Sequence, residues 1–217
     1  ALSGLKTASG YPLLANDPHL NLSLPSIWYQ IQTVSPNVNA YGVSLPGAPT
    51  IVLGFNNNVA WGVTNVASDV LDFYNIKFKD ESKKEYWYDN KWNAVQPRVE
   101  SIAVRGGNTI LDTVYYTHHG PVVYLNNQKP AKGVDVNNVP AGHAMRWVAH
   151  DRSNDIRTFY MLNRAKNYDD YRKALATYSA PAQNFIFASV DNDVAITANG
   201  YFPLKWNEQG KFLLDGS

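Results

Sequence analysis

The sequence predicts an α+β protein in which β-structure predominates. Short runs rich in β-branched and aromatic residues recur between residues 50 and 117 and again after residue 184, separated by Asn, Asp and Gly turns. Helical periodicity is confined to residues 153–181. The 217 residues include 45% hydrophobic but only 17% charged side chains. This composition favours one domain with a buried core and argues against a disordered chain.

β-Hairpins account for most of the predicted strands. Residues 50–55 and 59–64 are short β-rich runs divided by three consecutive asparagines. Asparagine tolerates the left-handed backbone of a tight turn, so this segment predicts a hairpin. Turn signals at 89–91, 106–108 and 191–193 place further strands along the chain. Those strands are predicted at 70–78, 85–88, 98–104, 109–117, 184–190 and 194–198.

Two helices are predicted late in the chain. Ser153 can cap the first helix, which has apolar residues at helical spacing. Asn167 can cap the second, where two aspartates in the first turn favour the positive end of the helix dipole. Pro181 is expected to end that helix. Residues 125–142 are polar, contain two prolines and predict a long loop.

Composition excludes several classes of function. The net charge of +1 offers no field for nucleic acid or an anionic membrane, so neither is expected as a partner. No apolar run reaches the length of a membrane-spanning helix. The absence of cysteine excludes disulfide scaffolds, zinc-thiolate sites and cysteine nucleophiles. The five histidines lack the spacing of a zinc protease, and there is no Gly-x-Ser-x-Gly motif.

Three local patterns carry candidate chemistry. Asp69 and Asp72 provide oxygen ligands suited to Ca²⁺, although such a pair also caps turns. His118-His119 precede Gly-Pro, and a structural corner is favoured there over a catalytic one. Residues 16–19, Asn-Asp-Pro-His, place turn formers and a titratable group between two apolar stretches. The many aromatic residues suggest either core packing or stacking platforms for carbohydrate.

Several motifs resemble the catalytic chain of the penicillin acylase family. The resemblance runs in the same order along nearly the whole chain, and its early motifs are specific. The matching segments are 7–10, 12–20, 24–29, 42–47, 60–65, 119–122, 146–147 and 183–185.

The resemblance implies an N-terminal nucleophile hydrolase with an αββα core. In that family a precursor cleaves itself, and a serine in a Ser-Asn-x-Trp motif becomes the nucleophile, with its own amine as base. That motif would lie just ahead of Ala1 and is absent from the sequence. The resemblance places a backbone oxyanion donor at Asn65, since a strand end can hold an N–H where negative charge develops. It gives His19 a role in positioning the nucleophile, with a purely structural role as the alternative.

The resemblance also implies a metal site and an acyl pocket. Asp69, Asp72 and the carbonyls of Leu71 and Pro203 match part of a structural Ca²⁺ site, which missing ligands would weaken in a fragment. Aliphatic side chains in the positions that line the acyl pocket would suit a hydrophobic acyl group. Those positions are Leu20, Leu53 and Val63.

We interpret residues 1–217 as a partial large-chain domain truncated at both ends. The parent would be a periplasmic or secreted amidohydrolase acting on a small-molecule amide. The fragment alone is expected to be inactive, because it lacks the serine, the small chain and the rest of the large chain. Its exposed apolar faces predict self-association. The alternatives are a non-catalytic carbohydrate-binding module and a pseudoenzyme. Buried Trp61 and Trp147 would favour the acylase over the binding module.

Overall fold

A computed structural model describes residues 1–18, 20–123 and 142–217. The chain divides into two compact units, each built from two stretches of sequence. Unit 1 comprises Ala1–Ser68 and Arg152–Phe202, and unit 2 comprises Asp69–Asp151 and Pro203–Ser217. His19 and most of the loop predicted at 125–142 lie outside the described residues.

Fourteen strands and two α-helices are present in the described residues, with 3₁₀ turns at Gly4–Lys6 and Val148–His150. The strands are β1 (Tyr29–Ser35), β2 (Val38–Ser44), β3 (Leu53–Phe55), β4 (Val59–Asn65), β5 (Leu71–Asn75), β6 (Glu85–Tyr88), β7 (Lys91–Ala94), β8 (Gln96–Ile102), β9 (Ile110–Thr117), β10 (Gly120–Pro121), β11 (His143–Trp147), β12 (Gln183–Ser189), β13 (Val194–Asn199) and β14 (Leu214–Asp215). The helices are α1 (Asp155–Leu162) and α2 (Tyr168–Leu175).

A six-stranded sheet forms the centre of unit 1. Its strand order is β1-β2-β3-β4-β12-β13, with every neighbouring pair antiparallel. Along β4 the side chains of Val59, Trp61 and Val63 face the core, because alternate residues of a strand point to the same side. They pack with Phe185 and Phe187 of β12 and with residues of both helices. The two helices therefore cover one face of the sheet.

Both helices begin close to the predicted positions, but the second ends earlier than predicted. Asn167 caps α2 as predicted, since its Oδ1 accepts a hydrogen bond from the backbone N–H of Asp170 at 2.9 Å. Asn154 occupies the cap position of α1, and the predicted cap, Ser153, donates its hydroxyl to the Asp155 carboxylate instead. Helix α2 ends at Leu175, well before Pro181. Within the described residues no helix is long and apolar enough to cross a membrane.

The structure confirms several predicted hairpins and adds one. Strands β12 and β13 pair around residues 190–193, and β8 and β9 pair as expected. The hairpin β1–β2, closed by Pro36 and Asn37, is missing from the sequence prediction. Strand β1 is exposed along its whole length, so it shows no alternation of buried and exposed positions. The Pro36-Asn37 pair is a turn signal in the sequence that could have predicted this hairpin.

Unit 2 contains three small sheets. Their strand orders are β10-β9-β8, β11-β5-β14 and the hairpin β6-β7. A compact core joins Ile76, Tyr86, Val95, Val122 and Ala144. Strand β14 pairs in parallel with β5, which brings the end of the described chain beside residues 74 and 75.

Two tryptophans test the rival interpretation of the aromatic residues. Trp61 is 1% exposed, and its indole N–H donates to the Val52 carbonyl at 3.0 Å. Trp147 is half-buried and packs edge-on against His150. Burial of Trp61 favours a core role over a stacking platform, whereas Trp147 is less buried than the acylase interpretation requires.

Candidate functional site

A large apolar cavity lies in unit 1 at one end of the sheet. Its volume is about 570 Å³, within the range of small-molecule sites. Aliphatic and aromatic side chains form most of its wall, and the end of β4 contributes part of the polar lining. The apolar lining includes Leu20, Ile27, Trp28, Leu45, Val52, Val63, Ile156 and Phe159, and the polar lining includes Asp17, Thr64, Asn65, Asp155 and Gln183.

The Asn16 side chain joins its own segment of chain to strand β4. Its Nδ2 donates to the Val63 carbonyl at 3.1 Å, and its Oδ1 accepts from the Val63 N–H at 3.2 Å. One amide group therefore satisfies both backbone groups of a strand residue, as a neighbouring strand would. Strand β3 pairs with β4 only as far as Trp61, so Asn16 continues the pairing where β3 stops.

Gly62 makes this close approach possible. A Cβ atom at position 62 would lie 2.5 Å from Asn16 Oδ1 and 2.8 Å from Asn16 Cβ. Real Cβ atoms essentially never come so near another heavy atom, so a side chain here would displace Asn16. Asn16 and the Trp-Gly-x-Thr strand are thus two halves of one contact.

Strand geometry fixes the direction of the Asn65 N–H. Val63 directs its N–H and carbonyl toward Asn16 and away from β12. Because backbone groups two residues apart point to the same edge of a strand, the Asn65 N–H faces that edge too. Asn65 also lines the cavity. The end of β4 at Asn65 therefore forms part of the cavity wall.

Two residues of β12 hold the end of β4 from its other side. Asn184 Nδ2 donates to the Asn65 carbonyl at 3.2 Å and lies 3.3 Å from Thr64 Oγ1. Gln183 Nε2 donates to Asn65 Oδ1 at 3.3 Å. These bonds fasten Asn65 at the point where the strand leaves the sheet, which explains the Gln-Asn pair of the matching motif.

Helix α1 and the segment after α2 close the far side of the cavity. Asp155 Oδ1 accepts hydrogen bonds from the backbone N–H groups of Ser179 and Ala180. Tyr178 donates its hydroxyl to the Pro181 carbonyl at 2.7 Å. Burial raises the pKa of the Tyr178 phenol, and the negative charge of Asp155 adds to that effect. Tyr178 therefore stays neutral and serves as wall rather than as a base.

Two of the three predicted pocket residues line the cavity. Leu20 and Val63 line the cavity, but Leu53 does not. Leu53 is 5% exposed within β3, and its neighbour Val52 lines the cavity in its place. The difference of one residue reflects the strand period of two, which sends adjacent side chains to opposite faces. His19 lies outside the described residues, so its predicted role stays a prediction.

The predicted metal ligands Asp69 and Asp72 lie in unit 2, where they meet a lysine. Lys205 Nζ is 2.9 Å from Asp69 Oδ2 and 2.9 Å from Asp72 Oδ1. Burial acts to lower the pKa of Lys205, but hydrogen bonds to Asp72 and Asp69 and their charges raise it overall. Leu71 is half-buried within β5, and Pro203 begins the second stretch of unit 2.

His118 and His119 form the structural corner that the sequence favours. They occupy the turn between β9 and β10. The His119 ring stacks on Tyr74 with centroids 3.9 Å apart, and His118 Nδ1 lies 3.1 Å from the Tyr86 hydroxyl. Burial, with a smaller effect of His118, lowers the pKa of His119 to about 4. A neutral histidine packed in this way supports folding rather than proton transfer at neutral pH.

Comparison with known proteins identifies the family. The family model Penicillin amidase matches residues 1–217. The chain belongs to this family. An acyl-homoserine lactone acylase, QuiP of Pseudomonas aeruginosa, is 31% identical over 219 residues, which cover 99% of this chain and 25% of that protein. The penicillin acylase 2 proenzyme of a Pseudomonas species (strain SE83) is 32% identical over 119 residues, 54% of this chain and 15% of that protein.

A solved structure supports the same fold. The thermostable penicillin G acylase from Alcaligenes faecalis matches with a TM-score of 0.76 and 21% sequence identity, over 92% of this chain and 34% of that chain. The predicted class is confirmed: the chain is a strand-rich portion of an N-terminal nucleophile hydrolase fold. It spans about a quarter of the length of the QuiP acylases it matches.

Three residues that organise these sites were not singled out individually from the sequence. Asn16 and Asn184 act through side-chain amides on the backbone of β4, and Lys205 binds two carboxylates from far along the chain. Asn16 had a local signal, since it opens the turn of residues 16–19. Lys205 had none, because only the folded chain brings it to Asp72.

Proposed function

We propose that this chain is part of an amidohydrolase that releases a hydrophobic acyl group from an amide, and that it supplies the acyl pocket and one oxyanion donor. The observation that carries the proposal is the apolar cavity of about 570 Å³ with the Asn65 end of β4 at its polar rim. An acyl chain in the cavity would leave its carbonyl near that rim, where a fixed backbone N–H can stabilise developing negative charge. The acylases among the relatives support this chemistry.

The serine nucleophile would come from residues outside the sequence described here. The matching acylases are about four times as long as this chain, which supports a larger parent protein. Among amide substrates we favour N-acyl-homoserine lactones, because acylases of that class match this chain over 97–99% of its length. We also propose that the natural protein is exported to the periplasm or the medium, which cell fractionation would test.

A pair of substitutions at Asn65 tests the oxyanion role in the natural gene product. Asn65→Pro removes the backbone N–H, whereas Asn65→Ala keeps it and removes only the side chain. Losing one oxyanion donor costs roughly 10²–10³ in kcat in hydrolases. We expect Asn65→Pro to show that loss against an N-acyl-homoserine lactone, and Asn65→Ala to lose less than about tenfold. Equal losses in the two folded variants would overturn the assignment.

A second measurement tests the acyl pocket and the alternatives. Val63→Phe narrows the cavity and should shift the preferred acyl chain to shorter lengths, as measured by kcat/KM across a chain-length series. Ile31→Phe, at an exposed position of β1, is the matched control and should leave that series unchanged. A wild-type protein that binds acyl amides without hydrolysing them would indicate a pseudoenzyme. Binding to oligosaccharides alone would indicate the carbohydrate-binding module.

A further inference from the structure

A three-residue ionic cluster joins the two stretches of sequence that form unit 2. Asp69 lies just before β5, and Asp72 is the second residue of that strand. Lys205 lies in the segment that follows Pro203. The Lys205 ammonium is 2.9 Å from an oxygen of each carboxylate. Asp72 is 8% exposed and the Lys205 side chain 11%, so water screens the contact between them only weakly.

This arrangement does not fit the Ca²⁺ ion that the family resemblance implies. Ca²⁺ takes about 6–8 oxygen ligands. Both carboxylates here already accept hydrogen bonds from an ammonium group. The ammonium offsets one of the two carboxylate charges, so the cluster has a net charge of −1 rather than −2 and attracts a dication less strongly than the two carboxylates alone would. Within the described residues, no group of three or more His, Cys, Asp or Glu is placed to hold a metal.

The backbone of Gly210 packs against the cluster. A Cβ atom at position 210 would overlap Asp69 Oδ2 and would lie 2.9 Å from Asp72 Oδ1 and 3.0 Å from Lys205 Nζ. Gly210 also has a φ of +90°, which favours glycine. The Gly210 backbone thus packs closely against the cluster, where a side chain would not fit, while the Asp69 side chain stays 52% exposed.

We propose that Lys205 takes the place of a structural Ca²⁺ in this chain. Its ammonium offsets one of the two carboxylate charges and ties the segment after residue 203 to the start of β5. Because this cation is covalently part of the chain, the contact does not depend on the calcium concentration outside the cell or on chelators. The inference concerns the fold of unit 2 and stands independently of the proposed hydrolase function.

The test measures thermal unfolding and calcium binding in the natural gene product. Wild type, Lys205→Met and Lys211→Met are compared by calorimetry in excess EDTA and in millimolar CaCl₂ at matched ionic strength. Methionine keeps much of the length of the lysine stem and removes its charge. Lys211 is the control, because it forms an exposed ion pair with Glu208 in the same segment.

We expect the wild type and Lys211→Met to have the same Tm in EDTA and in calcium. Lys205→Met should have a lower Tm in EDTA, and calcium should restore part of the loss. Its Ca²⁺ affinity should exceed that of the wild type by roughly tenfold or more, since a positive charge has left the site. Stabilisation of the wild type by calcium would overturn the proposal, and so would a Lys205→Met protein as stable as wild type in EDTA. If Lys205→Met does not fold, the wild-type titration still decides.

Discussion

The contact between Asn16 and β4 gives a quantitative prediction. Asn16→Gly removes both hydrogen bonds to Val63 and leaves a backbone N–H and a carbonyl unpaired in a partly buried strand. Two lost bonds with unsatisfied partners, plus the entropy of a new glycine, amount to about 3 kcal/mol. Gly62→Ala should weaken the same bonds indirectly. Asn16 Oδ1 would have to retreat from 2.5 Å to an ordinary contact of 3.4 Å, which lengthens its bond to the Val63 N–H beyond hydrogen-bonding distance. That change is expected to cost about 2 kcal/mol.

The double variant separates this mechanism from two independent effects. If Gly62 exists to admit Asn16, the alanine has nothing to displace once Asn16 is glycine. The double variant should then lose about 3 kcal/mol rather than the additive value of about 5 kcal/mol. Asn16→Gly is preferred to Asn16→Ala, because the Asn16 Cβ would itself lie 2.8 Å from the new methyl group.

Hydrogen exchange of the peptide covering residues 59–65 is the suitable assay, since it reports local opening in a large protein. A loss of about 2–3 kcal/mol corresponds to exchange roughly 30- to 150-fold faster. Asn37→Gly, the same change in the exposed β1–β2 turn, is the control and should leave this peptide unaffected. Additive losses in the double variant would refute the claim that Gly62 and Asn16 act as one unit.

Three further predictions concern other parts of the chain. Asn167→Ala removes the cap on the Asp170 N–H and should lower the free energy of unfolding of unit 1 by about 1 kcal/mol. Local hydrogen exchange measures this loss. Asn167→Ser, which keeps a capping oxygen, should retain most of the stability. The pKa of His119 is about 4 in the fold, below its ordinary value, so the unfolded chain takes up the proton first as the pH falls. Unit 2 should therefore lose about 1–2 kcal/mol between pH 6.5 and pH 4, after allowing for solvent screening. His119→Phe, which keeps the stack on Tyr74, should flatten that pH profile, and an unchanged profile would refute the assignment. Residues 1–217 expressed alone should self-associate through the exposed strand β1. Val34→Lys, which places a charge on that strand, should reduce the association measured by sedimentation. A monodisperse wild-type monomer would contradict this prediction.

Local patterns in the sequence predicted much of the secondary structure. The asparagines at 56–58 and the Asp-Asn-Asp turn at 191–193 predicted hairpins, because turn chemistry depends on a few adjacent residues. Asn167 predicted a helix start for the same reason. Strand β1 was missed although Tyr29 and Ile31 alternate with glutamines, a pattern typical of a strand. In the structure all seven of its residues are exposed, so the alternation does not mark a buried face.

The candidate site was predictable only where motif and local geometry coincide. The family resemblance points to Asn65 at the end of a strand, and in the structure Asn184 bonds to its carbonyl while Asn16 pairs with Val63, two residues earlier. Leu53 illustrates the limit, since a shift of one residue in a strand changes the face that a side chain occupies. Lys205 illustrates another, because a contact across 133 positions of sequence leaves no local pattern.

The interleaving of the two units in the sequence constrains the order of events during synthesis on the ribosome. Strand β4 is complete once residue 65 has emerged, but its partner β12 begins only at Gln183, after nearly all of unit 2. Chains are made from the N-terminus at a rate of about 5–20 residues per second. The β12 edge of β4 therefore waits seconds for its partner, while Asn16 is already available to cover the opposite edge at Val63. In the nascent chain, the amide of Asn16 would protect the end of β4 from non-native pairing before the sheet is complete.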